Sequence, residues 1–199
     1  MSTTTIQNET FTNLLAELKL DNYTPSLNTQ SLLNTESKYI KDLKINVSNV
    51  ISNTQYLNKK EALLLALAVA ANEKNVELKN SFATLATEAG ATEAEIAETF
   101  ACTSLMNTNN VFYRFRHFMH KEKEAYDTMQ AGIKMSIMLN PILGKEFFEL
   151  MSLVVSTLNG CEMCVTSHEK SVLQQGGSEP RVFEAVKLAA IIKGLIAVL

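Results

Sequence analysis

Cys161, Cys164 and His168 have the types and spacing for thiol–disulfide chemistry. They fall in the run Asn159-Gly160-Cys161-Glu162-Met163-Cys164-Val165-Thr166-Ser167-His168. In a helix, positions i, i+3 and i+7 share one face. Two thiols at that separation can close a small disulfide, and an imidazole one turn beyond Cys164 can take or return a proton. A helix starting near Gly160 places both sulfurs in or beside its first turn, where unpaired N–H groups and the dipole favour thiolate over thiol. Such a thiolate attacks a peroxide O–O bond and gives a sulfenic acid, with which a neighbouring thiol condenses.

The same CxxC pattern also serves metal sites. Zinc would need a fourth ligand, for which Cys102, His117 and His120 are candidates. A CxxC in a rigid helix chelates less well than one on a knuckle-like turn. Cys102, within Ala101-Cys102-Thr103, reads as core filler. Glu149 stands between Phe148 and Leu150 in an apolar stretch, where a carboxylate is unusual. By itself it reads as part of a solvated face. So do Glu146, Glu169 and the basic cluster Arg114, Arg116, His117, His120 and Lys121.

Helices must position these groups. The chain has 199 residues with only seven Gly and three Pro, too few turn residues for a sheet-rich protein, and is read as all-α. A net charge of −3 gives no electrostatic case for nucleic acid or an acidic membrane surface. The apolar stretch Ala62–Ala71 is too short to span a bilayer, and Val182–Leu199 carries Glu184, Lys187 and Lys193. Met1 to Thr10 has neither a basic n-region nor an apolar h-region, and three cysteines do not make an extracellular framework. The expected location is the cytoplasm.

Residues 1–37 are polar, with one amphipathic helix over Phe11, Leu14, Leu15 and Leu18 and a loop through Pro25; they are expected to form an N-terminal extension or arm. A second helix is expected over Glu36–Val50. An apolar helix over Ala62–Ala71 then leads to one through Val76, Phe82 and Leu85 that ends at Gly90. Thr92-Glu93-Ala94-Glu95 has the capping-box pattern and opens a third, through Ile96, Phe100 and Leu105. The same plan returns in the apolar helix Phe147–Val155, the CxxC helix ending at Gly176, and a last helix opened by Ser178-Glu179-Pro180. Aligning Gly90 with Gly176 sets Thr92 on Ser178, Asn75 on Cys161 and Phe82 on His168. This is an internal duplication of a helix–turn–helix unit in which only the second half keeps reactive groups.

Glu149 lies twelve residues before Cys161. E-x11-C-x-x-C-x3-H resembles the active-site signature of the alkylhydroperoxidase D family, in the carboxymuconolactone decarboxylase-like superfamily. Tyr39–Asn46 and Met106–Arg114 are also similar to stretches of that family, and the likeness covers residues 38–199. It implies an all-helical domain over 38–199, with a non-catalytic half (about 38–140) and a CxxC-bearing half (about 141–199), assembled as a homotrimer. The implied activity is thiol-dependent reduction of alkyl hydroperoxides, with a peroxiredoxin-type alkyl hydroperoxide reductase as partner. No bound cofactor is implied; reducing equivalents come from an external dithiol or dihydrolipoyl protein.

By resemblance Cys164 attacks the peroxide, Cys161 resolves, and His168 and Glu149 form a proton relay, Glu149 acting through a bound water. The family often has a second histidine where Met163 stands here, so the relay is one member short. Two other functions stay open: a disulfide reductase serving a peroxiredoxin, and a non-catalytic protein whose CxxC senses redox state or binds zinc. A decarboxylase is disfavoured, since relatives with that chemistry do not depend on a CxxC pair.

Overall fold

The computed structural model describes residues 8–199. Its described residues form ten α-helices and no strand: α1 Glu9–Glu17, α2 Leu27–Asn34, α3 Tyr39–Ser52, α4 Lys59–Asn72, α5 Val76–Glu88, α6 Glu93–Met119, α7 Ala125–Thr128, α8 Lys145–Leu158, α9 Glu162–Gln174 and α10 Glu179–Val198. One 3-10 turn, Ser136–Met138, lies between α7 and α8.

Two helices are apolar on nearly every side and so must be central. In α4, every residue from Ala62 to Ala70 is buried; in α8, Leu150 to Ser156 are. The two pack against each other, and α3, α5, α6, α9 and α10 surround them. The start of α4 is fixed by a full capping box between Asn58 and Glu61, and that of α6 by one between Thr92 and Glu95.

The duplication is a strict shift of 86 residues. It carries α4 onto α8 (59 to 145), α5 onto α9 (76 to 162) and the start of α6 onto that of α10 (93 to 179). The turn residues match too: Lys74 and Gly160 have φ of 60° and 65°, and Gly90 and Gly176 have 90° and 94°. Equivalent side chains cross between the halves. Buried Glu98 of α6 accepts the backbone N–H groups of Ile142 and Leu143 before α8, while its counterpart, buried Glu184 of α10, accepts those of Gln55 and Tyr56 before α4. The Lys60–Glu95 ion pair returns with its charges reversed as Glu146–Arg181. Arg181 also pairs with Glu61; burial works against its charge, but the two carboxylates outweigh that and hold its pKa above the ordinary value.

Two expectations change. Residues 8–34 are no separate arm: Phe11, Leu14, Leu15, Leu18 and Leu20 belong to the same core cluster as α4 and α8. Past α1, Tyr23 donates to the carbonyl of Leu199, and Ser26 and Thr29 donate to that of Val198, supplying partners for the last carbonyls of α10. The sequence hid this because the polar residues that make these bonds look like loop. Ser178 does stand at the start of α10, with proline in the first turn, but its side chain makes no cap hydrogen bond.

Candidate functional site

The reactive run begins where α8 ends. Gly160 takes a left-handed conformation, with φ of 65°, and turns the chain sharply into α9. The N–H of Cys161 donates back to the Ser156 carbonyl at 3.1 Å. The residue before the turn is held from several sides. Arg114 Nη1 donates to the Asn159 carbonyl at 2.6 Å, and the Asn159 side chain bonds to Asn110 at 2.9 Å and Asn72 at 3.1 Å. Asn110 donates in turn to Ser156 Oγ at 2.8 Å. A polar cluster drawn from α4, α6 and α8 thus fixes the entry to the CxxC helix.

Cys161 occupies the N-cap of α9, and Cys164 lies in its first turn. At the equivalent position of the first half, Asn75 caps α5 through its side chain. Cys161 makes no cap bond; its sulfur is joined to that of Cys164 in a disulfide, with Cα atoms 5.3 Å apart. Both cysteines are buried, Cys161 at 1% and Cys164 at 7% exposure. One turn further along α9, His168 Nδ1 lies 2.6 Å from Glu149 Oε2 on α8. Both side chains are largely out of solvent, at 12% and 18% exposure. In the first half these two positions are Phe82 and Leu63, both buried apolar groups.

A cavity of about 260 Å³ opens onto Cys164 and His168; Asn109 and Tyr113 of α6, Met135, Met138 and Met163 also line it. A second, of about 310 Å³, lies against Cys161 and is bordered by Arg114, His117, His120 and Lys121. Met163 stands between them and lines both.

The sequence has relatives of known name. The carboxymuconolactone decarboxylase family matches residues 124–199. The curated protein "Alkyl hydroperoxide reductase AhpD" of Rhodococcus erythropolis is 36% identical over 169 residues, covering 85% of this chain and 92% of that one. Its namesake in Mycobacterium ulcerans is 38% identical over 158 residues, covering 79% and 86%, and that of Solibacter usitatus 36% identical over 170 residues, covering 85% and 94%. The chain belongs to the AhpD family.

Of the four candidate residues, Cys161 stands at the start of α9, Cys164 and His168 lie on it, and Glu149 lies on α8 against His168. Glu149 is not on a solvated face, and its contact with His168 is a direct hydrogen bond. Glu146 is likewise structural, through Arg181. The basic cluster divides: Arg114 holds the Asn159 carbonyl, and Arg116 donates to the carbonyls of Tyr126, Asp127 and Met129. His120 pairs with Asp127 at 2.6 Å.

Among the described residues, no three His, Cys, Asp or Glu side chains converge as metal ligands. Cys102, one candidate ligand, is fully buried against Ser152, and burial pushes its thiol up to about 12. No helix among the described residues is long and apolar enough to cross a membrane. Arg114, expected on a solvated face, holds the turn before α9 instead, and Asn109 and Tyr113 were not singled out from the sequence. The one signal was the family-like stretch Met106–Arg114, which contains Asn109, Tyr113 and Arg114.

Proposed function

We propose that this protein is a thiol peroxidase that reduces alkyl hydroperoxides through Cys161 and Cys164. The observation that carries the proposal is that Cys164 of the disulfide and His168 of the His168–Glu149 hydrogen bond line one cavity. The relatives' name, alkyl hydroperoxide reductase, supports the substrate class. Near-complete burial of both sulfurs suits a small hydroperoxide as oxidant.

Cys164 is the nucleophile. The first-turn N–H groups of α9 stabilise its thiolate. His168 donates Nδ1–H to Glu149, which leaves Nε2 as the base that takes the Cys164 proton. The sulfur attacks the terminal peroxide oxygen: an S–O bond forms, the O–O bond breaks, and the alkoxide leaves as alcohol with the proton that His168 holds. Cys161 then attacks the sulfenic sulfur, forming the disulfide as the hydroxide departs as water. An external dithiol of the dihydrolipoyl type resets the pair through a mixed disulfide, so no metal, haem or flavin enters the cycle.

We further propose that the protein serves a peroxiredoxin-type alkyl hydroperoxide reductase in the cytoplasm as a homotrimer. Exposed Val111, Phe115 and Phe118 on α6 support self-association.

The roles of the two cysteines are separable by trapping. In Cys161→Ser treated with one equivalent of alkyl hydroperoxide, the sulfenic acid should persist on Cys164 and be captured by dimedone. Cys164→Ser should give no adduct. An adduct on Cys161 in the second variant would reverse the assignment, and none in either would remove direct peroxidase chemistry.

A further inference from the structure

The turn that delivers Cys161 exists twice in the molecule, and only one copy carries a cation. In the first half Lys74 makes the same left-handed turn as Gly160, and among the described residues no side chain donates to the Glu73 carbonyl before it. The turn therefore folds without an arginine. In the second half Arg114 Nη1 donates to the equivalent carbonyl, that of Asn159, at 2.6 Å. Arg181 is tied to two carboxylates, whereas Arg114 pairs with none among the described residues, so its charge is not neutralised. It borders one cavity together with Gly160, Cys161 and Glu162. Cys161 also stands where a helix cap belongs. Its counterpart Asn75 accepts the N–H of Leu78 at 2.9 Å, but Cys161 makes no cap bond in the disulfide. Once reduced, a thiolate there can accept the corresponding N–H, that of Cys164, while a neutral thiol accepts only weakly.

Disulfide closure needs Cys161 ionised when the sulfenic acid appears on Cys164. We propose that Arg114 is a positioning residue for this step: it anchors the peptide before Cys161 and sets a fixed positive charge near it, holding Cys161 as a thiolate ready to attack Cys164. The proposal rests on the thiol peroxidase function argued above and concerns its second step. Cys161 gives up its proton, and its thiolate attacks the sulfenic sulfur. The S–S bond forms as the S–O bond breaks, and the departing hydroxide takes one proton and leaves as water. The other charges around the turn do not replace Arg114. Glu162 of α9 opposes it but is exposed, and His117, His120 and Lys121 are exposed too, where solvent screens them. His120 is paired with Asp127, Glu73 of α4 with Lys193, and Glu149 of α8 faces His168. A sulfenic acid that closes slowly is open to a second hydroperoxide, which carries it to sulfinic acid. Arg114 thereby protects Cys164 from its own substrate.

The test follows sulfenic acid and disulfide in the reduced protein after one equivalent of cumene hydroperoxide, from about pH 6 to about pH 10. Arg114→Gln keeps a donor for Asn159 and removes the charge. Near neutral pH it should close the disulfide about 10-fold more slowly than the parent, the effect of one unit in the thiol's pKa, and dimedone should then capture Cys164. Thiolate grows as pH rises through that pKa, so the deficit should close in alkali. Arg114→Lys, which keeps the charge, should lie nearer the parent. Parent-like closure by Arg114→Gln at every pH, or a deficit that persists in alkali, overturns the proposal while leaving the peroxidase intact. If Arg114→Gln fails to fold, the thiolate absorbance of Cys161 in Cys164→Ser decides, since Cys102 is pushed up to about 12 and stays silent. Its midpoint should lie below the ordinary value of about 8.5, and a midpoint at or above that value overturns the proposal. A parent that forms neither sulfenic acid nor disulfide overturns the peroxidase function itself.

Discussion

Glu149 takes its meaning from its partner and not from its neighbours in sequence. Flanking Phe148 and Leu150 are buried, yet its carboxylate meets the imidazole of His168 at 2.6 Å. In the proposed relay a negative charge there would hold Nδ1–H in place and stabilise the imidazolium formed when Nε2 takes a proton. Glu149→Gln keeps the shape and removes the charge. It should slow peroxide-driven oxidation of the cysteines about 100-fold near neutral pH, with no change in helical content. A rate equal to the parent's would take Glu149 out of the relay. His168 was legible from residue spacing, because i+4 from Cys164 is a fixed neighbour on a helix. Glu149 was legible only through the resemblance, since nothing local tells a relay carboxylate from a solvated one. Met135 and Met138 come from a segment without periodicity, and only the tertiary fold brings them to Cys164.

At the scale of the elements, the sequence carried most helix starts and stops because each has a local cause. Thr92 and Glu95 close a capping box, and Gly90 and Gly176 end α5 and α9 in the left-handed region. The role of Gly177 had no such local sign. A Cβ at Gly177 would stand 2.5 Å from Val172 Cγ1 and 2.7 Å from Glu146 Oε1. Val172 is fully buried and Glu146 is tied to Arg181, so neither can move freely. Gly177→Ala should therefore destabilise the fold by about 1–3 kcal/mol, read as a lower denaturant midpoint with an unchanged slope. A midpoint equal to the parent's would show that the turn after α9 has slack. The docking of the N-terminal segment was hidden for the opposite reason: Tyr23, Ser26 and Asn28 bond to carbonyls at the far end of the chain, more than 160 residues away, which no local window contains.

At the scale of the whole molecule, the core is two copies of one unit, α4 to α6 and α8 to α10, with Glu98 and Glu184 each holding the loop that precedes the central helix of the other half. Such reciprocal contacts keep the two central helices in register, and function is then confined to one copy. Where the first half has Asn75, Leu78, Phe82 and Leu63, the second has Cys161, Cys164, His168 and Glu149. The first set packs and caps; the second carries the proposed chemistry. On the proposed mechanism, peroxide reduction consumes these two thiols and no others. Cys102, fully buried with its thiol pushed up to about 12, has no part in it. The most direct measurement mixes fully reduced protein with one equivalent of alkyl hydroperoxide and counts free thiols and product alcohol together. Two of the three thiols should be lost for each alcohol formed, leaving Cys102. Peroxide that survives beside three intact thiols, or a loss that includes Cys102, would contradict it.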